Sequence, residues 1–292
     1  MENKNWQKIA GVVVLTIVVS FIMIKAFGSS TSSVGNSVYD KVISSGTLTA
    51  CYVVTPPSLI KDPNTGKLSG TSFDVLEQAA KNLGLKLSWT TEVGWGEAIE
   101  ALNTGKCDVL GSAIWGNSSR AKTSEFIEPI YYSAINAYVR EGDTRFDGNL
   151  KTANNDKIKL AVADGSTTYL IAQRQFPNAQ TVRMAETSNT GALIMEVVNG
   201  KADMTFGEAS QVKLYQKNNP GKLRAVLNVK PVAVFEDVML VKKGEYKLKS
   251  SIDGAIRELI YGGFVDKVLN EYEKDNPGVF YRVASPYIIP QQ

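Results

Sequence analysis

The stretch KCDVLGSAIWGNSSR, from Lys106 to Arg120, joins a short apolar run to a polar segment that ends in an arginine. Residues 107–113 are typical of a buried β-strand, because the run is short and apolar. Arg120 is positively charged, and protein cores almost never contain an unpaired arginine. A strand that leads directly to such a residue predicts a binding site at the carboxyl end of a strand in an α/β sheet.

Strand-like and helix-like segments alternate around this stretch. The β-rich segments are TLTACYVV (residues 47–54) and KLSWTTE (residues 86–92). Helical spacing of apolar residues from Phe73 to Leu83, and the segment GEAIEALNTG (residues 96–105), predict two helices. The resulting order of strand, helix, strand, helix, strand predicts a parallel sheet with right-handed crossovers.

The same alternation restarts after PIYYSAINAYVREGD, residues 129–143. The predicted strands are KIKLAVA, AQTVRMA and KADMTF, and the predicted helices are DGSTTYLIAQRQF, TGALIMEVVNG and EASQVKLYQKN. An amphipathic tail, residues 248–274, predicts further helix. The chain therefore reads as two α/β units joined by extended segments, an arrangement that usually holds a ligand between the units.

Composition excludes several functional classes. Charged residues are 21% and hydrophobic residues 43% of the chain, as in soluble globular proteins. A net charge of +3 without a dense Lys/Arg stripe argues against a nucleic-acid partner. Histidine is absent, which excludes His-based triads, His general bases and most zinc or iron sites. We expect no metal and no cofactor.

The two cysteines, Cys51 and Cys107, are far apart in the sequence. Spacing alone says nothing about the geometry that a disulfide needs. We interpret them as two small buried strand residues, with a disulfide as the less favoured alternative.

The N-terminus carries an export signal. Two lysines precede an uncharged run, Ile9–Ile24, Lys25 follows it, and the polar tract of residues 26–37 resembles a linker. Lysines before the run favour a cytoplasmic start and export of the remainder. We expect residues 1–28 to be a signal peptide or an N-terminal membrane anchor, with residues 29–37 as the linker. Both alternatives place the protein in the periplasm or on the outer face of the cytoplasmic membrane.

Polar side chains follow a predicted strand in each unit. The candidates are Ser112, Trp115, Asn117 and Arg120 in the first unit, and Ser166, Thr167 and Thr168 in the second. Free N–H groups and hydroxyls at a helix start bind anions, and an arginine facing them would hold a carboxylate bidentately from the other side. Taken singly, Arg120 could be a solvated surface residue and Ser166 a plain N-cap. Together they predict an anion site in a cleft.

The ordered set of these segments resembles a known family. GKLSGTSFDVLEQAAKNLGLKL is similar to its Gly-x-x-x-Gly-x-x-Phe-Asp helix and the following strand, and GWGEAIEALNTGKCDVLGSAIWGNSSR to its helix, turn and arginine segment. SGTLTACY resembles its first strand, FIEPIYY its hinge entry, AVADGSTTYL its second anion loop and VVNGKADMTFGEAS its late Gly-x-x-Asp segment. The family is the family-3 extracellular solute-binding proteins, the polar-amino-acid receptors of ABC importers.

This resemblance implies a fold and a domain arrangement. The implied fold is the α/β, two-lobed type II periplasmic-binding-protein fold, each lobe a mainly parallel sheet flanked by helices, with two hinge crossings. Lobe 1 would comprise residues 38–133 and 245–286, lobe 2 residues 134–244, and residues 287–292 a tail. Extended segments near Ser133–Tyr138 and Phe235–Val241 would take up the hinge rotation on closure.

The resemblance also implies residue roles. Arg120 falls where the family binds the ligand α-carboxylate, and Thr167 with its neighbours falls where the second lobe donates to that group. Glu208 falls where the family commonly has an aspartate for the α-ammonium. Trp95 occupies a position that often touches the ligand. The usual aromatic residue before the conserved proline is missing, and Tyr52, upstream of it, is the remaining aromatic candidate.

The departures from the family pattern bear on ligand choice. Ala113 and Trp115 stand where polar receptors usually have hydroxyl side chains, which favours a ligand with a flat or apolar side chain. One alternative is a cation held by Trp95 and Trp115 as an aromatic box, and another is that Trp115 simply packs on the lobe surface. The implied partners are an amino-acid-like small molecule and an ABC permease, with the protein itself a monomer.

Two other functional classes stay open. Cyclohexadienyl dehydratases have a similar fold and share the arginine, and a buried Glu208 could act as a general acid. Nothing else in the chain forms a catalytic set, so we expect a binding protein rather than this lyase-type enzyme. A ligand-sensing ectodomain is the third alternative.

Overall fold

The computed structural model describes residues 37–185, 188–274 and 278–283. The predicted signal peptide or anchor, most of the linker and the tail lie outside the described residues. The helices are α1 Val38–Ser45, α2 Thr71–Asn82, α3 Ala98–Asn103, α4 Ser118–Thr123, α5 Thr167–Gln175, α6 Thr190–Val198, α7 Ala209–Asn218, α8 Tyr246–Tyr261 and α9 Phe264–Tyr272. The strands are β1 Thr47–Tyr52, β2 Ile60–Lys61, β3 Leu68–Ser69, β4 Lys86–Glu92, β5 Val109–Trp115, β6 Ser124–Phe126, β7 Tyr131–Arg140, β8 Lys159–Ala163, β9 Gln180–Met184, β10 Met204–Glu208, β11 Leu223–Ala225, β12 Ala233–Lys242 and β13 Phe280–Tyr281.

The chain divides into two units, Met1–Lys41 and Val42–Gln292. In the shorter unit, the Ser37 hydroxyl donates to the Asp40 carboxylate at 2.7 Å and accepts from the Asp40 N–H at 3.1 Å. The sheet, the core and the candidate site all belong to the longer unit. Among the helices of the described ranges, none is both long and apolar enough to cross a membrane.

A mixed sheet of 11 strands runs through the longer unit with the main strand order β4-β1-β5-β12-β7-β10-β8-β9, and β2 and β3 pair separately. At one end, β1 pairs in parallel with β4 and β5, and α2 and α3 make the connections. At the other end, β8 pairs in parallel with β9 and β10, with α5 and α6 between them. The end built around β1 is called the first α/β unit and the end built around β8 the second, and both lie within the longer unit of the chain. Both parallel arrangements confirm the predicted strand–helix alternation.

The long strands β7 and β12 join the two units by antiparallel pairing. β12 pairs with β7 from Ala233 to Asp237 and with β5 from Asp237 to Val241. β7 in turn pairs with β10 of the second unit. Both segments predicted as hinge crossings therefore lie within hydrogen-bonded strands that run from one unit into the other.

The strand that delivers Arg120 differs from the predicted one. It begins at Val109 and ends at Trp115, whereas the sequence predicted a strand over residues 107–113. The extension has a tertiary cause, because the partner strand β12 places Asp237 opposite Trp115 and Val238 opposite Ile114. Trp115 is therefore the last residue of a strand.

The glycine that precedes α2 has no substitute. Gly70 has φ of +129°, and a Cβ there would lie 2.4 Å from the Ser58 carbonyl oxygen. The Tyr272 hydroxyl of α9 accepts from the Gly70 N–H at 2.7 Å and donates to Asp74 at 3.0 Å. The tail predicted as continuous helix is divided into α8 and α9, because Gly263 adopts φ of +77°.

The structure corrects the interpretation of the cysteines. Cys51 and Cys107 form a disulfide, with their Cα atoms 5.6 Å apart. Cys51 lies in β1, while Cys107 lies before β5 rather than inside it. Parallel pairing of β1 with β5 brings the two residues together, and no local sequence signal reports such a pairing.

Candidate ligand-binding site

Arg120 lies in the short helix α4, directly after β5. Asn117 caps this helix, since its side-chain oxygen accepts from the N–H groups of Ser119 and Arg120 at 3.0 Å each. The Arg120 guanidinium donates to the Trp115 carbonyl oxygen at 2.6 Å. Among the described residues, no carboxylate lies within ion-pair distance of it. Burial without a counter-charge lowers the pKa of Arg120 to about 10.

Trp115 contacts the second unit as well as the first. Its ring stacks on Phe235 of β12, with ring centroids 5.8 Å apart and an interplanar angle of 21°. It packs against the second unit's core, which includes Leu160 and Phe206. Its indole lies near the Glu208 carboxylate and opposes the rise in the pKa of that acid. Trp115 therefore bonds to Arg120 through its carbonyl oxygen and places its indole near Glu208.

Glu208 is the last residue of β10 and is only 4% exposed. The Ser210 hydroxyl donates to its Oε1 at 2.6 Å, and the Ser133 hydroxyl lies nearby. Burial raises the pKa of Glu208 above its usual range, against the opposing effect of these polar neighbours. No Lys or Arg forms an ion pair with it within the described ranges.

The second anion loop forms the start of α5. Ser166 caps the helix, since its hydroxyl accepts from the Tyr169 N–H at 3.4 Å and contacts the Thr168 hydroxyl at 2.7 Å. The Thr168 hydroxyl also accepts from the Ala163 N–H at 3.2 Å. Thr167 is buried, and its hydroxyl has no hydrogen-bond partner among residues 37–185, 188–274 and 278–283. Of the three predicted donors, Thr167 is the one left uncommitted.

Ser112 and Asn117 bind the backbone. The Ser112 hydroxyl is fully buried, donates to the Val53 carbonyl oxygen at 2.8 Å and accepts from the Val53 N–H at 2.9 Å. Asn117 is the cap of α4 described above. Both side chains hold in place the segment that presents Trp115 and Arg120.

Tyr52 and Trp95 lie apart from this hydrogen-bonded group. Tyr52 is buried at the end of β1, with its ring edge toward Trp89 at a centroid distance of 6.0 Å. Trp95 lies in the turn before α3 and is 44% exposed. In the described part of the chain, neither residue makes a hydrogen bond or ring contact with Arg120, Trp115 or Glu208. The structure thus brings together only some of the predicted residues.

Two further residues of the group were missed as site residues by sequence reasoning. The Ser133 hydroxyl of β7 donates to the Asp237 carboxylate of β12. Asp237 is 3% exposed, and burial raises its pKa well above the usual range, with the negative charge of Glu208 as a second cause. The only sequence signal was a pair of acidic residues, Glu236 and Asp237, inside the otherwise apolar run VFEDVMLV. We name the set Arg120, Trp115, Ser133, Glu208 and Asp237 the central cluster.

Two cavities lie away from the central cluster. One of about 850 Å³ lies between α2, β4 and α9, and another of about 390 Å³ lies beside α6 and α7. None of the predicted site residues lines either cavity.

Comparison with solved structures identifies the fold. A binding component of an ABC transporter from Wolinella succinogenes, solved in complex with lysine, superposes with a TM-score of 0.68 at 22% identity. The match covers 80% of this chain and 98% of that one. The fold is thus that of the two-lobed type II periplasmic binding proteins, as the sequence predicted.

The family model of the bacterial extracellular solute-binding proteins, family 3, matches residues 48–275, and the chain belongs to this family. Its members are extracytoplasmic. A "Probable histidine-binding protein" of Neisseria gonorrhoeae is 23% identical over 211 residues, covering 71% of this chain and 75% of its own length.

A membrane-bound lytic murein transglycosylase F of Citrobacter koseri is 29% identical over 192 residues. That match covers 62% of this chain but 36% of the transglycosylase. The chain therefore spans about a third of the length of this relative.

Proposed function

We propose that this protein is the substrate-binding component of an ABC importer and that it captures an amino acid, or a similar small zwitterion, outside the cytoplasm. One observation carries the proposal. Arg120 and Glu208 are both largely buried, and in the described part of the chain each bonds only to neutral groups, Arg120 to the Trp115 carbonyl oxygen and Glu208 to the Ser210 hydroxyl. A zwitterion supplies a carboxylate for the arginine and an ammonium for the glutamate, with full charges on both.

The charges of the site support this assignment. Arg120 and Glu208 are both withdrawn from water, and neither has an ion-pair partner among the described residues. A buried unpaired charge is destabilising, so a group of this kind is retained where a ligand compensates it. A carboxylate on Arg120 and an ammonium on Glu208 compensate both sites at once.

Lobe closure supplies the second half of the site. In our proposal Arg120 belongs to lobe 1, while Thr167, Thr168 and Glu208 belong to lobe 2, so a bound ligand bridges the lobes. The Thr167 hydroxyl and the N–H groups at the start of α5 donate to the ligand carboxylate from the second side. The crossing strands β7 and β12 take up the rotation, and an ABC permease receives the closed form.

We assign the side chain of the ligand to a chemical class rather than to one amino acid. The relatives named above are described with lysine and with histidine, and Trp115 offers an aromatic face to either. We place cationic and flat side chains ahead of small polar ones, because Ala113 and Trp115 stand where polar receptors usually have hydroxyl side chains. Ser112 and Asn117 position the backbone, and Tyr52 and Trp95 contribute at the rim.

A ligand panel tests the proposal. The purified full-length chain is screened by thermal shift and isothermal titration against the proteinogenic amino acids. For each hit, the matching amine without carboxylate and acid without ammonium are titrated as controls. A ligand at a hundredfold excess over its Kd adds about 2.7 kcal/mol to the free energy of unfolding. We expect a hit that loses most of its affinity in both controls. Hits that bind equally well without either group would refute the zwitterion site.

An enzymatic role is the second candidate, because burial raises the pKa of Glu208 toward the range of a general acid. Incubation with prephenate or arogenate, followed by chromatography, tests the dehydratase activity directly. Turnover that disappears in Glu208→Gln would establish the enzyme. No turnover, together with a saturable binding isotherm for an amino acid, would establish a binding protein.

A further inference from the structure

The middle of the sheet brings two acidic side chains to one face. Asp237 of β12 pairs with Tyr131 of β7, and Glu208 of β10 pairs with Ile135 of β7. Ser133 lies halfway between Tyr131 and Ile135, and alternate residues of a strand share a face. Ser133 is therefore the diagonal neighbour of both acids, within reach of each.

A count of hydrogens at Ser133 shows what this arrangement requires. A serine hydroxyl has one proton to donate and can accept hydrogen bonds through its lone pairs. The Ser133 hydroxyl donates to Asp237, and the strand register places Glu208 on the other side of the same serine. Two ionised carboxylates cannot both receive the same proton. Ser133 can bond to both acids only when one of them is itself protonated and donates to the serine oxygen.

Burial and charge favour the same state. Glu208 and Asp237 are both almost fully buried, and neither has a Lys or Arg partner at ion-pair distance within residues 37–185, 188–274 and 278–283. Burial raises both pKa values, and for Asp237 the charge of Glu208 adds to the effect. Two like charges that share a buried site rarely ionise together.

The groups around the pair offer no other proton at neutral pH. On β7, the phenol of Tyr131 lies on the face of the acids and that of Tyr138 on the opposite face, and burial raises both pKa values, that of Tyr138 to about 12. On α7, Ser210 donates to Glu208. On α4, the guanidinium of Arg120 bonds to the Trp115 carbonyl oxygen instead.

The remaining neighbours on the face of the acids carry no titratable group. On β5, the indole of Trp115 lies near Glu208. At the start of α2, Thr71 contributes a hydroxyl beside Tyr131. Glu236 follows the opposite face of β12, where its side chain lies against Gly116.

We propose that Glu208 and Asp237 share one proton through Ser133 in the ligand-free protein, and that this proton is released when an ammonium-bearing ligand binds. The inference rests on the proposed zwitterion site, which it deepens by assigning Asp237 and Ser133 as positioning residues that set the charge of Glu208. Uptake is then linked to pH, with capture favoured by a less acidic medium.

The step balances without another reactant. Before binding, the pair holds one proton and carries one negative charge. The ligand ammonium enters as a hydrogen-bond donor in place of the carboxyl O–H. That O–H bond breaks, its electron pair stays on the carboxylate, and the proton passes to the buffer. The pair then carries two negative charges opposite one ammonium, and no oxidant, reductant or covalent intermediate takes part.

The first test needs no ligand. Difference infrared spectroscopy of the full-length chain at neutral pH detects the C=O stretch of a protonated carboxyl group. We expect this band in the wild-type protein and in Glu236→Gln, the matched control on the opposite face of the same strand. It should be lost in Asp237→Asn, because the remaining glutamate then ionises with the Ser133 hydroxyl as its donor. A wild-type protein without the band overturns the proposal.

The second test measures the released proton. L-lysine and L-histidine, and any other panel hit, are titrated in phosphate and in Tris, whose ionisation enthalpies differ. We expect close to one proton released per ligand in the wild type and in Glu236→Gln, and close to none in Asp237→Asn. Affinity should rise about tenfold per pH unit in the wild type, as release of one proton requires, and should be nearly flat in Asp237→Asn.

The outcomes separate this inference from the proposed function. Binding with heats that do not depend on the buffer leaves the zwitterion site standing and overturns the proton release. No binding by any amino acid refutes the proposed function and the inference together. Ser133→Ala serves as a second variant, since it keeps both acids and removes only the bridge. Unchanged proton release in a folded Ser133→Ala variant overturns the assigned role of Ser133.

Discussion

Replacing Arg120 by alanine should abolish ligand binding while leaving the ligand-free fold intact. Burial lowers the pKa of this arginine to about 10, a change from its ordinary value that corresponds to about 3 kcal/mol against the charged form. Losing its hydrogen bond to Trp115 costs about 1.5 to 3 kcal/mol. These opposing effects nearly cancel. We expect the free energy of unfolding of Arg120→Ala to lie within about 2 kcal/mol of the wild-type value.

The effect on binding should be much larger. Truncating one partner of a desolvated charge pair costs about 2 to 5 kcal/mol, which raises Kd about 30- to 5,000-fold. Isothermal titration with the best ligand measures it, and urea denaturation without ligand measures stability. Arg120→Lys should recover part of the affinity, because the charge is kept and the bidentate geometry is lost.

Lys122→Ala is the matched control, since this exposed cation lies on the same helix. This control variant should change neither Kd nor the free energy of unfolding. A variant Arg120→Ala that binds normally but unfolds several kcal/mol more easily would refute the reasoning, because Arg120 would then be a structural cation.

Two further predictions concern stability. Glu208 and Asp237 have raised pKa values, so the folded chain holds protons that the unfolded chain has released. The contribution of these two acids to the free energy of unfolding is therefore greatest below the ordinary carboxyl range, about pH 4. It falls as the pH rises through their folded-state pKa values. Urea denaturation across pH should show a shallower decline in Asp237→Asn, and equal slopes would contradict it. The disulfide closes a separation of 56 residues, so Cys51→Ser with Cys107→Ser should lose about 2 to 4 kcal/mol of unfolding free energy, with Kd nearly unchanged. Undiminished stability in the double variant would show that the bond contributes no net stabilisation.

Much of the fold could be predicted because its signals are local. The segment KLSWTTE forms β4 over the predicted residues, and the helix predicted from Phe73 to Leu83 is α2, Thr71–Asn82. Periodicity reports which face of a segment is apolar, and that face is decided by neighbouring residues. The end of β5 was misplaced because its last residues are held by β12, a strand more than a hundred positions later in the chain.

The candidate site was predictable where one residue carries the signal. Arg120 after a strand, and Ser166 to Thr168 at a helix start, are visible in the sequence as chemistry at an expected place. The roles of Ser112 and Asn117 were not, since only the structure shows their side chains committed to the backbone. Asp237 was placed in a hinge segment without a chemical role, because its partner Ser133 lies on a different strand.

The sequence by itself determined the class of protein: two α/β units, an arginine after a strand and a second anion loop, all encoded in short segments whose physics is local. Tertiary structure alone decided which side chains meet. The pairing of β1 with β5 joins Cys51 to Cys107, and the pairing of β5, β12, β7 and β10 assembles the central cluster. Such contacts depend on strand register across long separations, which no window of sequence contains.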